Sequence, residues 1–380
     1  MRVHIAFLVV AAFAVTASPA LATDRLVAKP TDLACGKPTA YLTIQAAVDA
    51  ANPGDTVKVC PGLYQEQVTI GPGKNNVKLE SVKHWQAAIR YPTGVLTDPK
   101  AVVAVRGATG VGIKEFTIEG PWQDTSDCTS TRHYGIKVDQ AGSAKIESNH
   151  ITQIQDAVSA LRGCQDGVAI QVGRSGESTT GSAEIVHNVI DKFQKNGPTI
   201  DGAGSSGKVQ ENTIDGGGDH NIIAKNGVQI SRGASAKVEK NRIFNHYFTG
   251  AGPPPASDGD DSNDGTGILV FNVNGGVTVH ENTLTFNDLG FSIFGDASQA
   301  GPPTASGVMI DNNVTNANVF DGLRADPGAT GNTFQGNKSS SNESHDCHDD
   351  TTGTGTAGTA NTWKDNQGNT QTPEGICKRP

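Results

Sequence analysis

Hydrophobic and polar residues recur along this chain with a long period. Two neighbouring stretches, 195–214 and 225–243, are nearly alike: each opens on Lys-Asn-Gly, continues as an alternating strand, and closes on an Asn-x-Ile turn. The glycines of the two copies, Gly197 and Gly227, are 30 residues apart. A repeat of this length predicts a solenoid, in which each repeat forms one coil and stacks on the next.

The same pattern extends over most of the chain. A glycine followed by alternating apolar residues predicts one strand per coil, at Gly135, Gly167, Gly197, Gly227, Gly267, Gly290 and Gly322. An asparagine with an apolar residue two positions later predicts one turn per coil, at Asn149, Asn188, Asn212, Asn241, Asn282, Asn312 and Asn332. Because stacked coils lie about 4.8 Å apart, we expect the asparagine amides to form a hydrogen-bonded ladder.

A short helix is predicted before the repeats. The apolar residues of 44–51 have the spacing of one helical face, and Thr43 stands where it can cap that helix. A strand over 56–60 and a turn at 61–62 follow. This cap and the seven coils resemble the right-handed parallel β-helix proteins, a superfamily that includes pectate lyases, pectin methylesterases and polygalacturonases. The resemblance covers about residues 40 to 338 and implies an all-β, single-stranded right-handed parallel β-helix with an N-terminal capping helix.

The first 22 residues have the pattern of a secretory signal peptide. Two basic residues precede an apolar run over 5–15, and Ala20-Leu21-Ala22 offers a cleavage site. The apolar run is too short to span a bilayer, and no other segment approaches about 20 consecutive apolar residues. We therefore expect a protein without a membrane span that is secreted to the periplasm or the extracellular medium.

Six cysteines remain after the signal peptide, and an even number in an exported chain favours disulfides. A stacked coil brings nearby segments together, so we predict pairing between sequence neighbours: Cys35–Cys60, Cys128–Cys164 and Cys347–Cys377. The β-helix is expected over 23–338. The Ser/Thr/Gly-rich residues 339–380 are expected to form an irregular tail, held to the last coil by the third disulfide.

Composition narrows the range of partners. Among 380 residues only 5% are aromatic and 46 are glycine, which suits thin repeated coils better than one globular core. The formal net charge of −9 argues against nucleic acid, because binding phosphates requires concentrated Lys and Arg. An acidic polysaccharide stays open, since a local basic face decides that contact. We expect a monomer that meets an extracellular polysaccharide.

Aligning the repeated strands predicts a row of outward, solvent-facing side chains. On successive coils this row reads Lys137 and Asp139, Ala169 and Gln171, Thr199 and Asp201, Gln229 and Ser231, Leu269 and Phe271. Basic residues flank the strands, at Arg174, Lys195, Lys225 and Arg232. A polar, locally basic face with an aromatic end suits a sugar chain that carries carboxylates. The predicted substrate-binding residues are Lys137, Gln171, Arg174, Lys195, Gln229 and Phe271.

Four residues on this face are candidates for catalysis. Asp139 and Asp201 are two coils apart, or roughly 9.6 Å, which is near the upper limit for an inverting glycosidase pair and too far for a retaining pair. A β-elimination instead needs a base, often Arg or Lys in the lyases that this fold resembles. Arg232 and Lys225 are the candidates, with Asp201 as a cation ligand. The alternative, that all four are ordinary polar side chains on a sheet face, stays open.

A metal site is suggested by the insertion at 250–265. The oxygens of Asp260, Ser262 and Asp264 alternate as in a calcium-binding loop, and Ca²⁺ is the one cofactor that the sequence suggests. Position twelve of such a loop would be Phe271, where a bidentate Glu is needed, so a solvated acidic loop is the alternative. The His- and Asp-rich segment 345–350 lacks the spacing of a fixed metal site.

No complete catalytic signature accompanies the fold. Residues 62–66 resemble an early pectin methylesterase signature and 293–296 a later one, but the signatures expected between and after them are missing. Two functions follow from the sequence: a lyase or glycoside hydrolase acting on an acidic polysaccharide, or a non-catalytic extracellular glycan-binding or scaffold module. An accessory role for an exported metalloenzyme is a third, which no residue singles out.

Overall fold

The predicted all-β solenoid is confirmed. The computed structural model describes residues 22–29, 35, 40–94, 96–123, 132–217, 222–249 and 264–380. Within these ranges the chain winds through three long parallel sheets of twelve, ten and eleven strands, and a two-stranded sheet lies beside them. The expected signal peptide lies almost wholly outside the described residues. No helix in these ranges is long and apolar enough to cross a membrane.

Each coil contributes one strand to each long sheet. The twelve-stranded sheet contains Asp24–Val27, Thr56–Val59, Lys78–Ser81, Val111–Lys114, Gly142–Glu147, Gly181–Val186, Ser206–Gln210, Ser235–Glu239, Val277–His280, Met309–Asp311, Thr333–Gln335 and Thr362–Lys364. The ten-stranded sheet contains Gly62–Gln65, Ala87–Arg90, Thr117–Glu119, His150–Thr152, Val189–Asp191, Thr213–Asp215, Arg242–Phe244, Thr283–Thr285, Val314–Asn316 and Lys338–Ser340. The eleven-stranded sheet contains Val68–Ile70, Ala101–Arg106, Tyr134–Asp139, Val168–Val172, Asn196–Asp201, Asn226–Ser231, Thr266–Phe271, Leu289–Phe294, Asp321–Ala325, His345–Asp349 and Gln371–Thr372. The two-stranded sheet pairs Ala305–Ser306 with Ala329–Thr330.

Apolar side chains of equal position stack into continuous interior rows. Because strand side chains alternate between faces, one apolar residue per strand is enough to extend each row by one coil. In the ten-stranded sheet the interior row begins with Tyr64 and continues through isoleucines such as Ile190 and Ile214, all fully buried. Burying each such side chain stabilises the fold by roughly 1.5–3 kcal/mol. The row ends on buried hydroxyls, where Thr315 Oγ1 donates to Ser339 Oγ at 2.6 Å.

The predicted asparagine ladder runs along the turn between the twelve- and ten-stranded sheets. At each step one Oδ1 accepts both the backbone N–H and the side-chain amide of the preceding member, at 2.9 and 3.0 Å where Asn212 meets Asn188. The ladder consists of Asn149, Asn188, Asn212, Asn241, Asn282, Asn313, Asn337 and Asn366. Five of the seven predicted members are confirmed. Asn312 is wrong, because Asn313 occupies the rung, and Asn332 instead bonds Asn361 in a separate step.

The capping helix is also confirmed. It spans Ile44–Ala50, and the Thr43 hydroxyl accepts the Ala46 N–H at 3.2 Å, as its position predicted. Both oxygens of Glu66 accept further N–H groups of the first turn, at 2.9 Å each. Side chains satisfy the helix start, and its apolar face closes the first coil of the solenoid. In the described part of the chain, short 3-10 helices at Ser159–Leu161, Ser175–Glu177 and Thr356–Gly358 lie in the loops.

The C-terminal segment is more regular than the sequence suggested. Strands His345–Asp349, Thr362–Lys364 and Gln371–Thr372 extend the eleven- and twelve-stranded sheets beyond residue 338, where an irregular tail was expected. The hydrophobic signal is weak there because buried Asn and Ser residues replace apolar ones. The Cys35–Cys60 and Cys347–Cys377 disulfides are confirmed. Cys128 lies outside the described residues, so its pairing with Cys164 stays a prediction.

Candidate functional site

The candidate residues lie on the outer face of the eleven-stranded sheet. Interior residues such as Ile136 and Val138 alternate with outward ones, so Lys137 and Asp139 point away from the core. We call the side chains of this sheet that point away from the core the outer face. One outward column contains Lys137, Gln171, Thr199, Gln229, Leu269, Ser292, Arg324 and His348. The next contains Arg106, Asp139, Asp201, Ser231, Phe271 and Phe294.

The predicted alignment is wrong on one coil. Tyr134 pairs with Val168, so Gly135 stands opposite Ala169 and not opposite Gly167. Gly167 lies before the strand, at φ +77°, a backbone conformation that favours glycine. Gln171 therefore belongs beside Lys137 and Thr199. Asp139 and Asp201 still share a column two coils apart, with glycine on the coil between them.

The outer face of the first coils is buried rather than solvated. Asp139 is 0% exposed, Lys137 1%, Asp201 4% and Gln229 8%. The expectation that these side chains face open solvent is therefore wrong. A charged group that is buried needs a partner of opposite charge or hydrogen bonds to compensate for lost hydration.

Three cations on the first coils of the outer face, Lys137, Arg106 and Arg174, pair with carboxylates. Lys137 Nζ lies 2.6 Å from Glu177 Oε2 and 3.5 Å from Asp139 Oδ2, and Arg106 Nε lies 3.1 Å from Asp139 Oδ1. Arg174 NH1 contacts the other oxygen of Glu177 at 2.5 Å. Burial opposes ionisation, but the bonds from Lys137 and Arg174 hold the pKa of Glu177 below its usual value. The basic character predicted for this face is thus compensated internally.

Asp201 is the centre of a second buried network. Its Oδ2 accepts the backbone N–H and hydroxyl of Ser175 at 2.9 and 3.0 Å. Its Oδ1 accepts the Ser231 hydroxyl at 2.8 Å and Arg232 NH1 at 3.0 Å. The Arg232 guanidinium in turn lies 4.9 Å from the Phe271 ring centroid. This arrangement holds Asp201 and Arg232 in fixed positions and engages the carboxylate fully.

The two lysines that precede their strands donate to backbone carbonyls. Lys225 Nζ lies 3.0 Å from Gly216 O, and Lys195 Nζ lies 2.7 Å from Ala224 O. Burial, with a smaller contribution from the positive charge of Arg132, lowers the pKa of Lys195 to about 8. Lys195 therefore approaches neutrality just above physiological pH, whereas a free lysine does not.

This lowered pKa predicts a pH-dependent effect of Lys195→Met on stability. The unfolded lysine binds its proton more tightly than the folded one, so the wild type carries a cost below pH 8 that disappears as the pH rises towards 10.5. We expect the Lys195→Met variant to have a free energy of unfolding about 1–2 kcal/mol higher than that of the wild type at pH 7. This figure is reduced for the partial exposure of the side chain. The gain should vanish near pH 10.5. Urea unfolding at pH 7, 9 and 10.5 measures it.

Lys237→Met, at an exposed position of the twelve-stranded sheet, is the matched control and should show no such trend. A Lys195→Met advantage that stays constant with pH would contradict the lowered pKa.

A cleft opens on the outer face over the later coils. It encloses about 520 Å³, and neutral polar, apolar and charged side chains line it. Phe294 lines the cleft and stacks on Phe271, with ring centroids 5.1 Å apart and planes 2° from parallel. The remaining lining is a mixture of neutral, apolar and charged groups without a regular alternation: Asn226, Thr266, Leu269, Leu289, Ser292, Gly295, Pro327, Lys195, Asp264, Asp296 and Asp326.

The cleft gathers only part of the predicted site. Lys195 and Asp264 line it, and Phe271 stacks on the lining residue Phe294, whereas Asp139 and Lys137 lie on earlier coils. The other two predicted calcium ligands, Asp260 and Ser262, lie outside the described residues, so the calcium loop stays a prediction. Reasoning from sequence missed Ser292 and Asp326, although the predicted glycine register already placed Ser292 in line with Leu269.

Among the residues that the structure describes, one group of side chains could hold a metal ion. Asp321, His345 and His348 each present a ligand atom within 4.8 Å of the others. The two histidines belong to the segment that appeared to lack metal-site spacing. This group could not be predicted from the spacing of the histidines alone, because Asp321 belongs to the previous coil, 24 residues before His345.

The family follows from comparison with known sequences. Residues 101–343 match the family model described as a right handed beta helix region. The chain belongs to this right-handed β-helix family. The predicted right-handed, pectate lyase-like fold is thereby confirmed. No curated protein matches the sequence.

Solved structures show the same β-helix fold at low sequence identity. XylC, solved in complex with xylose, is 13% identical over 84% of this chain and 69% of its own, with a TM-score of 0.55. The periplasmic alginate epimerase AlgG is 11% identical over 86% and 68%, with a TM-score of 0.46. A pectin methylesterase from carrot is 14% identical over 83% and 85%, with a TM-score of 0.43. At such identities the β-helix proteins share architecture, and function depends on the site.

Proposed function

We propose that this β-helix protein binds a polysaccharide chain in the cleft on its outer face. The observation that carries the proposal is the lining of the cleft, which combines the Phe294 ring, stacked on the buried Phe271, with the neutral polar side chains of Asn226 and Ser292. Sugar rings present apolar C–H faces and hydroxyl edges, which suit aromatic surfaces and neutral hydrogen-bonding groups. The row of parallel strands beneath the cleft offers equivalent positions about 4.8 Å apart along a polymer.

The charges favour a neutral glycan over the acidic polysaccharide expected from the sequence. The cations of the first coils are paired with Asp139, Glu177 and Asp201. The cleft itself contains three carboxylates and one lysine. A uronate polymer would meet net negative charge there, which lowers its affinity and slows its association.

The geometry supports binding more strongly than turnover. The candidates Asp139, Asp201, Lys225 and Arg232 all bond to protein groups. A general base must reach the proton that it removes, and these groups are engaged elsewhere. The proposal therefore follows the non-catalytic, glycan-binding alternative.

Two further observations support a glycan outside the cytoplasm. XylC, which has this fold, was solved with xylose, so xylan is a sensible first probe. The Cys35–Cys60 and Cys347–Cys377 disulfides suit an oxidising compartment, in agreement with the predicted signal peptide.

Truncating the cleft aromatic should weaken binding. Phe294→Ala removes the ring that stacks on Phe271 and lines the cleft, so we expect xylan oligosaccharide affinity to fall roughly tenfold, or about 1.4 kcal/mol. Isothermal titration with neutral oligosaccharides and with oligouronates measures the effect. Reducing-sugar and unsaturated-product assays on the same samples test for turnover.

Phe286→Ala is the matched control, since Phe286 is 56% exposed and does not line this cleft. It should bind as the wild type does. Binding lost in Phe286→Ala and retained in Phe294→Ala would place the ligand elsewhere. No binding to any neutral or acidic polymer would overturn the proposed function.

A further inference from the structure

Two histidines and one aspartate converge near the C-terminal end of the outer face. Asp321 Oδ1 lies 3.1 Å from His345 Nδ1, and Asp321 Oδ2 lies 2.7 Å from His348 Nδ1. Asp321 is 1% exposed, and its Oδ1 also accepts the His345 backbone N–H at 3.0 Å. The carboxylate is therefore fixed, and both imidazoles turn the same ring nitrogen towards it.

We propose that Asp321, His345 and His348 form a binding site for a divalent transition-metal ion of the zinc type. Two imidazole nitrogens and one carboxylate oxygen form a ligand set typical of zinc sites with an open position. Metal–ligand bonds of 2.0–2.1 Å in a tetrahedron place neighbouring ligand atoms about 3.3 Å apart. The two contacts of Asp321, at 2.7 and 3.1 Å, lie within about 0.6 Å of that value, and the three ligand atoms all lie within 4.8 Å of one another.

The partner of the other His348 nitrogen supports this assignment. His348 Nε2 lies 2.9 Å from Asp350 Oδ1, so Asp350 accepts its N–H and fixes the ring orientation. A carboxylate on the far side of a histidine is the usual outer partner of a metal ligand. The His348 ring therefore lies between two carboxylates, with Nδ1 facing Asp321 and Nε2 facing Asp350. A cation stabilises such an arrangement.

The charge of the cluster also calls for a cation. Arg324 contacts three carboxylates: NH1 lies 3.2 Å from Asp321 Oδ2, Nε 2.6 Å from Asp326 Oδ1, and NH2 3.5 Å from Asp350 Oδ2. Three carboxylates and one guanidinium leave a charge of −2 when the imidazoles are neutral. One dication would neutralise the cluster.

The fold holds the site and leaves a path to it. His345 and His348 lie on one strand, and the buried Cys347 between them is bonded to Cys377 on the inner side. The His345 side chain is 32% exposed and that of His348 12%, so an ion can enter from solvent. Asp326 also lines the cleft, which places the proposed metal site next to the proposed glycan site. The metal assignment does not depend on glycan binding.

The test is a zinc titration of the full chain after chelator treatment and dialysis. We expect one Zn²⁺ per chain by calorimetry, and Co²⁺ should give the intense visible absorption of a low-coordinate site. His345→Ala and His348→Ala should each weaken Zn²⁺ binding by roughly 100-fold or more, since losing even an outer partner costs 10–100-fold. His345→Gln replaces His345→Ala if circular dichroism shows that the alanine variant does not fold.

His280→Ala is the matched control. His280 Nδ1 lies 2.7 Å from Asp311 Oδ2, so it has the same His–Asp contact without the second imidazole. It should leave zinc affinity unchanged. The proposal fails if the wild type binds no zinc, or if folded His345 and His348 variants bind it as tightly as the wild type does. Because glycan is absent from this titration, its outcome is separate from that of the oligosaccharide experiment.

Discussion

Replacing Asn212 by alanine should lower the free energy of unfolding by about 4 kcal/mol, which is a large part of the stability of many proteins. Asn212 Oδ1 accepts the Asn188 N–H and amide, and its own amide donates to Ile185 O, Gln210 O and Asn241 Oδ1 at 2.9–3.0 Å. The truncation leaves the buried Asn188 N–H without this acceptor and interrupts the ladder. Each unsatisfied buried group costs about 1–3 kcal/mol.

Urea unfolding at neutral pH measures this loss, with circular dichroism to confirm that the variant folds. Asn369→Ala provides the control, because the Asn369 side chain is exposed and lies outside the ladder. It should change stability by less than about 0.5 kcal/mol. Equal effects of the two substitutions would show that the ladder contributes no more than a surface amide does.

The repeat was predictable because the solenoid imposes one rule on every coil. An inward residue must be apolar and the turn must offer an amide, so stretches such as 197–214 and 227–243 carry the same pattern. The rule weakens where hydroxyls replace apolar residues. Thr315 and Ser339 satisfy each other inside the solenoid, so the residues around Asn313 and Asn337 no longer match Asn-x-apolar, and the pattern shifted to Asn312 and Asn332.

The glycine pattern failed for a related reason. Gly135 and Gly197 lie within strands that pack tightly against the next coil, whereas Gly167 serves a turn with positive φ. Glycine therefore occurs for two different reasons, close packing within a strand and positive φ before a strand. Only the register of the strands distinguishes the two. The alignment error at Gln171 follows directly.

The candidate site was less predictable because burial and partners come from outside the repeat. The loop residue Glu177 neutralises Lys137, and the loop residue Ser175 donates a hydrogen bond to Asp201. Neither loop residue belongs to the repeated pattern, so the repeat does not predict them. The Asp321 and His345 contact likewise joins two coils. A row of residues can be predicted from spacing, but the environment of that row depends on loops of unrelated sequence.

Replacing Asp201 by alanine should destabilise the protein by about 3 kcal/mol, since removing one partner of a buried ion pair leaves the other uncompensated. Asp201 accepts four hydrogen bonds, and Arg232 is 3.0 Å away. Asp201→Asn retains an acceptor but removes the charge, so its loss should be intermediate. Urea unfolding of both variants separates the hydrogen bonds from the ion pair.

The comparison that decides the role of Asp201 is with an exposed ion pair. Asp365 Oδ1 lies 2.9 Å from Lys378 Nζ with side chains 59% and 75% exposed, so Asp365→Ala should change the free energy of unfolding far less than Asp201→Ala does. A loss several times larger for Asp201→Ala means that this carboxylate stabilises the outer face and is not available to a substrate. Equal losses would mean that Asp201 exchanges its partners readily with solvent, and the residue would return to the catalytic candidates that the sequence suggested.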